Sequence, residues 1–258
     1  MNSMIGISAL HFDLEQKLKV YHDYDDIKFI EYGVDEFKDL EILNFFMSKP
    51  ENQNVNLAIH LPLKSNPVEN IEDIRNSNIK FISEMIREIL QFEPLYFNLH
   101  LGHAFFNEYH NNPFTYLDNA NHYLNAVLNV SLKYNIYIEN VYSFLDKASG
   151  DLCSIGTTAK EFEYIFSKNK DLRLGFCYDL GHSQLQKENF DGLLKQKNLL
   201  FHFNVNEGLS DQHLGVQKTG KYTKTFFFEI INQYDFKYVV LELDINETLK
   251  TIDILKLK

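Results

Sequence analysis

Tryptophan is absent from this chain, cysteine occurs twice, and positive charge is scarce: 25 Lys and Arg stand against 36 Asp and Glu, a net charge of -11 over 258 residues. Cys153 and Cys177 are far apart and form no C-x-x-C pair. That excludes a disulfide framework and points to a reducing compartment. The acidic balance weighs against sequence-blind DNA binding, which rests on Lys and Arg neutralising phosphates, so nucleic acid is not an expected partner. No apolar run approaches the roughly 18 residues that span a bilayer. The opening Met1-Asn-Ser-Met-Ile-Gly6 has no basic segment followed by an apolar one, so no signal peptide is read there. The expectation is a cytoplasmic protein with no membrane partner. There is no Pro/Ser/Gly-rich linker and no low-complexity stretch, so residues 1–258 read as one domain. Nothing matches a Gly-rich phosphate cradle or a nucleophile elbow. Oligomeric state leaves no mark that can be read.

What is present is a regular alternation. Short β-rich runs begin near Met4, Ile27, Val55, Tyr96, Ile136, Leu174, Leu200 and Tyr238, a spacing of about 32 residues, the size of a βα unit. Helical patterns lie between them. Ile71 to Gln91 carries Ile74, Ile79, Phe81, Ile82, Met85, Ile86, Ile89 and Leu90 as an apolar face, and Tyr116 to Tyr134 behaves likewise. Thr158 to Phe166 opens on a cap-like Thr157-Thr-Ala-Lys-Glu161. Asn246 to Leu257 closes the series. Eight such units in 258 residues, 45% of them hydrophobic, predict the α/β class and a single (β/α)8 TIM barrel. The long non-periodic stretch Asn204 to Thr223 becomes a loop at its catalytic face.

Metal-binding side chains follow these runs in order: His60, His100, Glu139, Asp179, His182, His202, Asp211, His213 and Glu242. A charged group or imidazole at a buried strand end is costly unless something binds it. Six strand ends behaving alike imply convergence, and imidazole with carboxylate is ligand chemistry for divalent transition ions. In a barrel the C-terminal strand ends build the site, so fold and chemistry agree. Glu139, Asp179, His202 and Glu242 come from strands five to eight and can surround one ion. His60 and His100 can hold a second, shared through Glu139. His182, on a tight Asp-Leu-Gly-His turn, joins Asp211 and His213, whose i, i+2 spacing in extended backbone aims both the same way; these three can hold a third.

Each residue alone has a plainer explanation. His60 suits a hydrogen-bonded core histidine, Glu242 a structural ion pair, and Asp211 with His213 a solvated loop. It is the ordered set that argues for a site. His103 and His11, close to strand ends, and Lys218, in the long loop, are candidate substrate contacts. His122 is expected to face solvent from a helix, His22 and His110 to lie in loops, and Cys177 to serve packing.

His60-Leu-Pro, His100-Leu-Gly, Ile138-Glu-Asn140, Tyr178-Asp-Leu-Gly-His182, His202-Phe-Asn-Val-Asn206 and Asp211-Gln-His213 resemble the motifs of the xylose-isomerase-like TIM-barrel superfamily, which includes endonuclease IV and the sugar-phosphate isomerases and epimerases. The resemblance spans nearly the whole chain; its motifs are specific as an ordered set and weak singly. The endonuclease IV pattern implies three ions: one on His60, His100 and bridging Glu139, one on Glu139, Asp179, His202 and Glu242, one on His182, Asp211 and His213. The ketose epimerase pattern implies one Mn²⁺-like ion on Glu139, Asp179, His202 and Glu242, with the two glutamates as catalytic groups and His182 as a substrate contact. Two features depart from endonuclease IV. The first strand, Gly6-Ile-Ser-Ala-Leu-His11, lacks its Gly-Ala-His start, and no basic, aromatic-interleaved loop is present to grip a bent duplex.

Two mechanisms follow. In an isomerase or epimerase, one glutamate removes a proton from a C–H acidified by the ion and the other returns one. In a hydrolase, water activated between ions attacks phosphorus. One divalent ion against three carboxylates leaves the site negative and suits a neutral sugar; three ions against four leave it positive and suit a phosphate. The expectation is an isomerase or epimerase of a small sugar or sugar phosphate, using one to three divalent ions, Zn or Mn. The alternative is an endonuclease IV-like phosphoester hydrolase with a small anionic substrate in place of abasic DNA.

Overall fold

The computed structural model describes residues 3–143, 152–196, 198–208 and 210–258. In chain order its strands are β1 (Met4–Ala9), β2 (Ile27–Gly33), β3 (Leu57–His60), β4 (Tyr96–Leu99), β5 (His103–Phe105), β6 (Asn135–Glu139), β7 (Leu152–Ser154), β8 (Leu174–Asp179), β9 (Leu199–Phe203) and β10 (Phe236–Leu241). Eight of them close into a parallel barrel in the order β1-β2-β3-β4-β6-β8-β9-β10 and back to β1. These are the eight runs expected, each starting within two residues of its expected position. The protein is a (β/α)8 barrel. The short antiparallel pair of β5 and β7 was not foreseen; three-residue strands are too brief for a periodic signal.

The helices are α1 (Leu14–Asp23), α2 (Phe37–Met47), α3 (Glu72–Ile89), α4 (Phe106–Asn111), α5 (Pro113–Val130), α6 (Ala159–Lys168), α7 (Leu180–Gln186), α8 (Lys224–Gln233) and α9 (Ile245–Leu255). Helix α3 forms because Ile79, Ile82, Met85, Ile86 and Ile89 recur on one face, and all five are buried. Each is worth about 1.5–3 kcal/mol relative to exposure. Ile74, expected on that face, is instead 48% exposed, one turn beyond the packed stretch. Helix α6 starts where expected: Glu161 Oε2 accepts from the backbone amides of Thr157 at 2.8 Å and Thr158 at 2.7 Å, a reciprocal cap. His22 and His110, expected in loops, lie in α1 and α4. His122 is exposed on α5 as expected. No helix among the described residues is long and apolar enough to cross a membrane.

The barrel interior follows strand parity. Phe29, Ala58, Tyr96, Tyr137, Cys177, Leu200, Tyr238 and Val240 pack together as one apolar layer. Gly6 makes room for it, since a Cβ there would sit 2.5 Å from the Phe29 ring. Side chains alternate faces along a strand, so the residues two further on point inward as well, one layer higher. Those residues are Glu31, His60, Asn98, Glu139, Asp179, His202 and Glu242, followed by His100 two beyond Asn98. An apolar floor thus carries a polar ring.

Candidate metal centre

At the centre of the ring stands Glu139, the last residue of β6, fully buried. Four imidazoles surround its carboxylate. His60 Nε2 lies 3.3 Å and His202 Nδ1 3.2 Å from Oε2, while His100 Nε2 lies 3.2 Å and His182 Nδ1 3.3 Å from Oε1. Asn98 Nδ2 donates to Oε2 at 2.5 Å. Glu242, directly after β10, places Oε2 3.1 Å from His202 Nδ1. Asp179 ends β8 and caps α7, accepting from the His182 backbone amide at 2.6 Å, and Asn204 Nδ2 donates to its other oxygen at 2.7 Å. Gly181 permits that contact: a Cβ at this position would stand 1.6 Å from Asn204 Oδ1.

Ligand atoms of Glu139, Asp179, His202 and Glu242 all lie within 4.8 Å of one another, as do those of His60, His100 and Glu139. Bonds of about 2.0–2.2 Å place opposite ligands up to about 4.4 Å apart, so either group fits an ion after tenths of an ångström of contraction. A third group of the same compactness joins Glu139, Cys177 and His202. Cys177, expected to serve packing alone, lies in the apolar layer with its Sγ 3.7 Å from Glu139 Oε2.

The remaining three expected ligands meet as well. Asp211 Oδ2 is 3.2 Å from His182 Nε2 and 3.0 Å from His213 Nε2. Their geometry differs from expectation in two ways. His182 sits in the first turn of a helix, and His213 is left-handed (φ 49°), so Asp211 and His213 do not lie on an extended run. What aims His213 is its Nδ1, held 2.8 Å from the carbonyl of Glu242. This trio is not among the groups whose atoms all fall within 4.8 Å of one another.

Two observations show that the donor set suits a cation. His100 Nε2 and Glu139 Oε1 are buried and close together, yet neither has a hydrogen-bond partner. Burial, together with the nearby Glu242 and Glu139 carboxylates, pushes Asp179 well above the usual carboxylate range, so a neighbouring cation would relieve the cost of its charge. Glu139 and Glu242 go the other way. Burial opposes their charge, but the imidazoles, His202 foremost, hold both well below that range. The histidines respond in kind. Burial disfavours charge on His60 and His213, but hydrogen bonds to Glu139 and to Asp211 push them up to about 9 and about 10. On His100 burial prevails and its pKa is lowered.

Above the ring opens a cavity of about 750 Å³, lined by His60, His100, His182, Asp211, His213 and Glu242 at its polar end. Leu10, Phe12, Leu63 and Leu152 also line it while 45–73% exposed, alongside Asp13, Asp35 and Asp244. No Lys or Arg lines it among the described residues. His103, His11 and Lys218, expected as substrate contacts, are not lining residues either. His103 sits on β5 with its amide bonded to Asn66 Oδ1, His11 pairs with Asp39 at 3.2 Å, and Lys218 is exposed in the loop after β9. Glu31, Asn98 and Asn204 were missed, as was Asn140, whose side chain bonds the Asp179 backbone at both ends and whose carbonyl lies 2.9 Å from His182 Nδ1. Strand parity was the available signal for Glu31, two residues past Phe29 just as Glu139 is two past Tyr137.

Comparison with known folds agrees with this geometry. A D-tagatose 3-epimerase-like protein superposes with a TM-score of 0.77 at 19% identity, covering 98% of this chain and 96% of the other. The chain shares the barrel fold of that protein. Endonuclease IV from Thermus thermophilus matches at a TM-score of 0.63 and 12% identity, over 98% of this chain and 97% of that one. L-ribulose 3-epimerase matches at 0.64 and 14%, over 96% and 86%. No family model matches the sequence, and no curated protein matches it significantly. The likeness is one of fold.

Proposed function

We propose that the chain, acting as one domain, is a divalent-metal-dependent isomerase or epimerase of a small sugar or sugar phosphate. The observation that carries this reading is the convergence of two glutamates, Glu242 lining the cavity and Glu139 buried beside it, 3.1 and 3.2 Å from the same His202 Nδ1. Glu139, Asp179, His202 and Glu242 would hold the ion, Zn or Mn. When bound, it supplies Lewis acidity to a substrate carbonyl or hydroxyl oxygen and so lowers the pKa of the adjacent C–H. One glutamate then takes the proton from that carbon, and the electron pair is held as an enediolate. The other glutamate returns a proton, to the opposite face of the same carbon for epimerisation, or to the neighbouring carbon for isomerisation, in which case the enediolate's hydroxyl proton passes to the other oxygen. His182 and His213, at the polar end of the cavity, would hydrogen-bond substrate hydroxyls by exchanging their Nε2 contacts with Asp211 for them. The apolar and acidic walls and the histidine-only cationic lining among the described residues favour a neutral sugar over a phosphorylated one.

A second reading has its own support. His60 and His100 converge on the same Glu139 that serves the other group, an arrangement suited to two ions sharing a carboxylate. Paired ions suit phosphoester hydrolysis, and endonuclease IV is among the structural neighbours. One experiment separates the readings. Protein loaded with Zn²⁺ or Mn²⁺ is incubated in D₂O with a panel of ketoses and aldoses, and in parallel with bis(p-nitrophenyl) phosphate and an abasic duplex. Deuterium entering one carbon of a sugar supports the isomerase. Phosphoester cleavage without exchange overturns it in favour of the hydrolase, and rapid incision of the duplex at physiological salt would further remove the charge argument against DNA.

A further inference from the structure

His202 has two ring nitrogens, and only one of them faces the cluster. Nδ1 points at Glu139 and Glu242. Nε2 points the other way, 3.0 Å from Glu31 Oε1. Glu31 sits inside β2, across the barrel from β9, and is 2% exposed. Its second oxygen accepts the Tyr96 hydroxyl at 2.5 Å. We propose that Glu31 is a positioning residue for the metal centre: it accepts the Nε2–H of His202, and so leaves Nδ1 as the nitrogen offered to an ion.

Three features of the structure carry this. First, a buried carboxylate facing a ring nitrogen is favourable when that nitrogen bears a proton or a cation, because two lone pairs would otherwise oppose each other. At Nδ1, between Glu139 and Glu242, an ion can take the proton's place, whereas at Nε2, among the described residues, only Glu31 is there to accept the N–H. Second, the Tyr96 hydroxyl occupies the other carboxylate oxygen, so Glu31 cannot swing away without leaving a buried phenol unpaired. Third, Asn98 Nδ2 is the rival group near Nε2, at 3.4 Å. Its short bond, 2.5 Å, goes to Glu139 Oε2, it stands farther from Nε2 than Glu31 Oε1 does (3.4 against 3.0 Å), and turning the amide over would set its oxygen against the Glu139 carboxylate. Tyr96, Glu31 and His202 therefore form a buried chain of one hydrogen bond and one 3.0 Å ion-pair contact, which holds the ring and keeps the Nε2 proton in place when an ion displaces the one between Nδ1 and the Glu139 and Glu242 carboxylates. Such outer partners of ligating histidines typically hold about 10–100-fold of metal affinity.

The role rests on reading His202 as an ion ligand, and the test keeps the two claims apart. Histidine-¹⁵N-labelled protein, metal-free and Zn²⁺-loaded, is observed by long-range ¹H–¹⁵N NMR, with His202 assigned from the His202→Asn spectrum. In both states His202 should show an exchange-protected proton on Nε2 that disappears in Glu31→Ala. Zn²⁺ affinity, measured by competition with a chromophoric chelator, should fall about 10–100-fold in Glu31→Ala and by less in Glu31→Gln, which keeps an acceptor but not the charge. Tyr96→Phe, which preserves volume, serves if the alanine variant does not fold; it should weaken affinity in the same direction. A His202 spectrum with an unprotonated Nε2 in the Zn²⁺-loaded protein, or no loss of Zn²⁺ affinity in any of the three variants, would overturn the proposal. Wild type that takes up no Zn²⁺ would instead overturn the proposed function, and the Nε2 proton alone would then decide the Glu31–His202 bond.

Discussion

Replacing Glu139 by Gln changes one oxygen for one NH₂ and should still reach the whole centre. In the metal-free protein this carboxylate is what keeps His60 charged: burial alone would lower its pKa, and the hydrogen bond to Glu139 raises it from 6.5 to about 9. That rise is worth about 3 kcal/mol of preference for the protonated ring. The sign is fixed by linkage. A histidine whose folded pKa exceeds its unfolded value adds stability that is full below pH 6.5 and lost as pH rises through about 9. In the Glu139→Gln variant the main support is gone while the burial remains and only the more distant Glu31 charge opposes it, so His60 should titrate well below 9 and stabilise the fold less at neutral pH. His100 and His182 lose the same partner, so the loss should not be confined to one ring. Histidine NMR titration of the metal-free wild type and variant reads this directly, and urea unfolding at pH 6 and pH 9 reads its consequence. The same substitution should cut bound Zn²⁺ to less than half, since Glu139 belongs to every compact ligand group among the described residues. A variant whose His60 still titrates near 9, with wild-type ion content, would refute this account of the centre.

Ion uptake by the wild type at pH 7 should release protons, because His60 and His213 are protonated in the metal-free protein and must be neutral to ligate; calorimetry in buffers of different ionisation enthalpy counts them. Lys17 is buried with its Nζ donating to the Leu243 carbonyl at 2.6 Å and to Thr248 Oγ1 at 2.8 Å, and burial lowers its pKa from 10.5 to about 8. Between those values the unfolded chain holds the proton and the folded one does not, so this group's contribution to stability rises with pH. Lys17→Met should therefore compare best with wild type at pH 7 and lose ground, by up to about 3 kcal/mol, by pH 10.5 in urea unfolding. Gly181→Ala drives a methyl into Asn204 Oδ1 and should cost about 1–3 kcal/mol in the same assay, while also weakening Zn²⁺ binding through Asp179. Asp211→Asn should remove one bound ion and abolish turnover if its trio binds metal. In a one-ion enzyme it should mainly raise KM, and wild-type values for both would make Asp211 a plain loop residue.

The sequence by itself determined the barrel and the order of its polar strand ends. Both are local, periodic signals. A run such as Tyr96-Phe-Asn-Leu-His100 shows its parity, its length and its terminal imidazole without reference to any other segment. Parity also held Glu31, yet nothing local distinguishes a glutamate inside Ile27-Lys-Phe-Ile-Glu31-Tyr from one paired at the surface. Its partner, His202, lies 171 positions away, and only closure of the barrel brings them to 3.0 Å. The short β5–β7 pair, the left-handed turn at His213 and the retreat of His11, His103 and Lys218 from the cavity were likewise decided by packing between distant segments. Charge state belongs to the same class. His60 and His100 end similar strands and both touch Glu139, yet one is pushed up and the other down, because burial and the Glu139 carboxylate balance differently at each ring. A residue type is written in the chain, but the dielectric and the neighbours that set its protonation exist only once the strands have met.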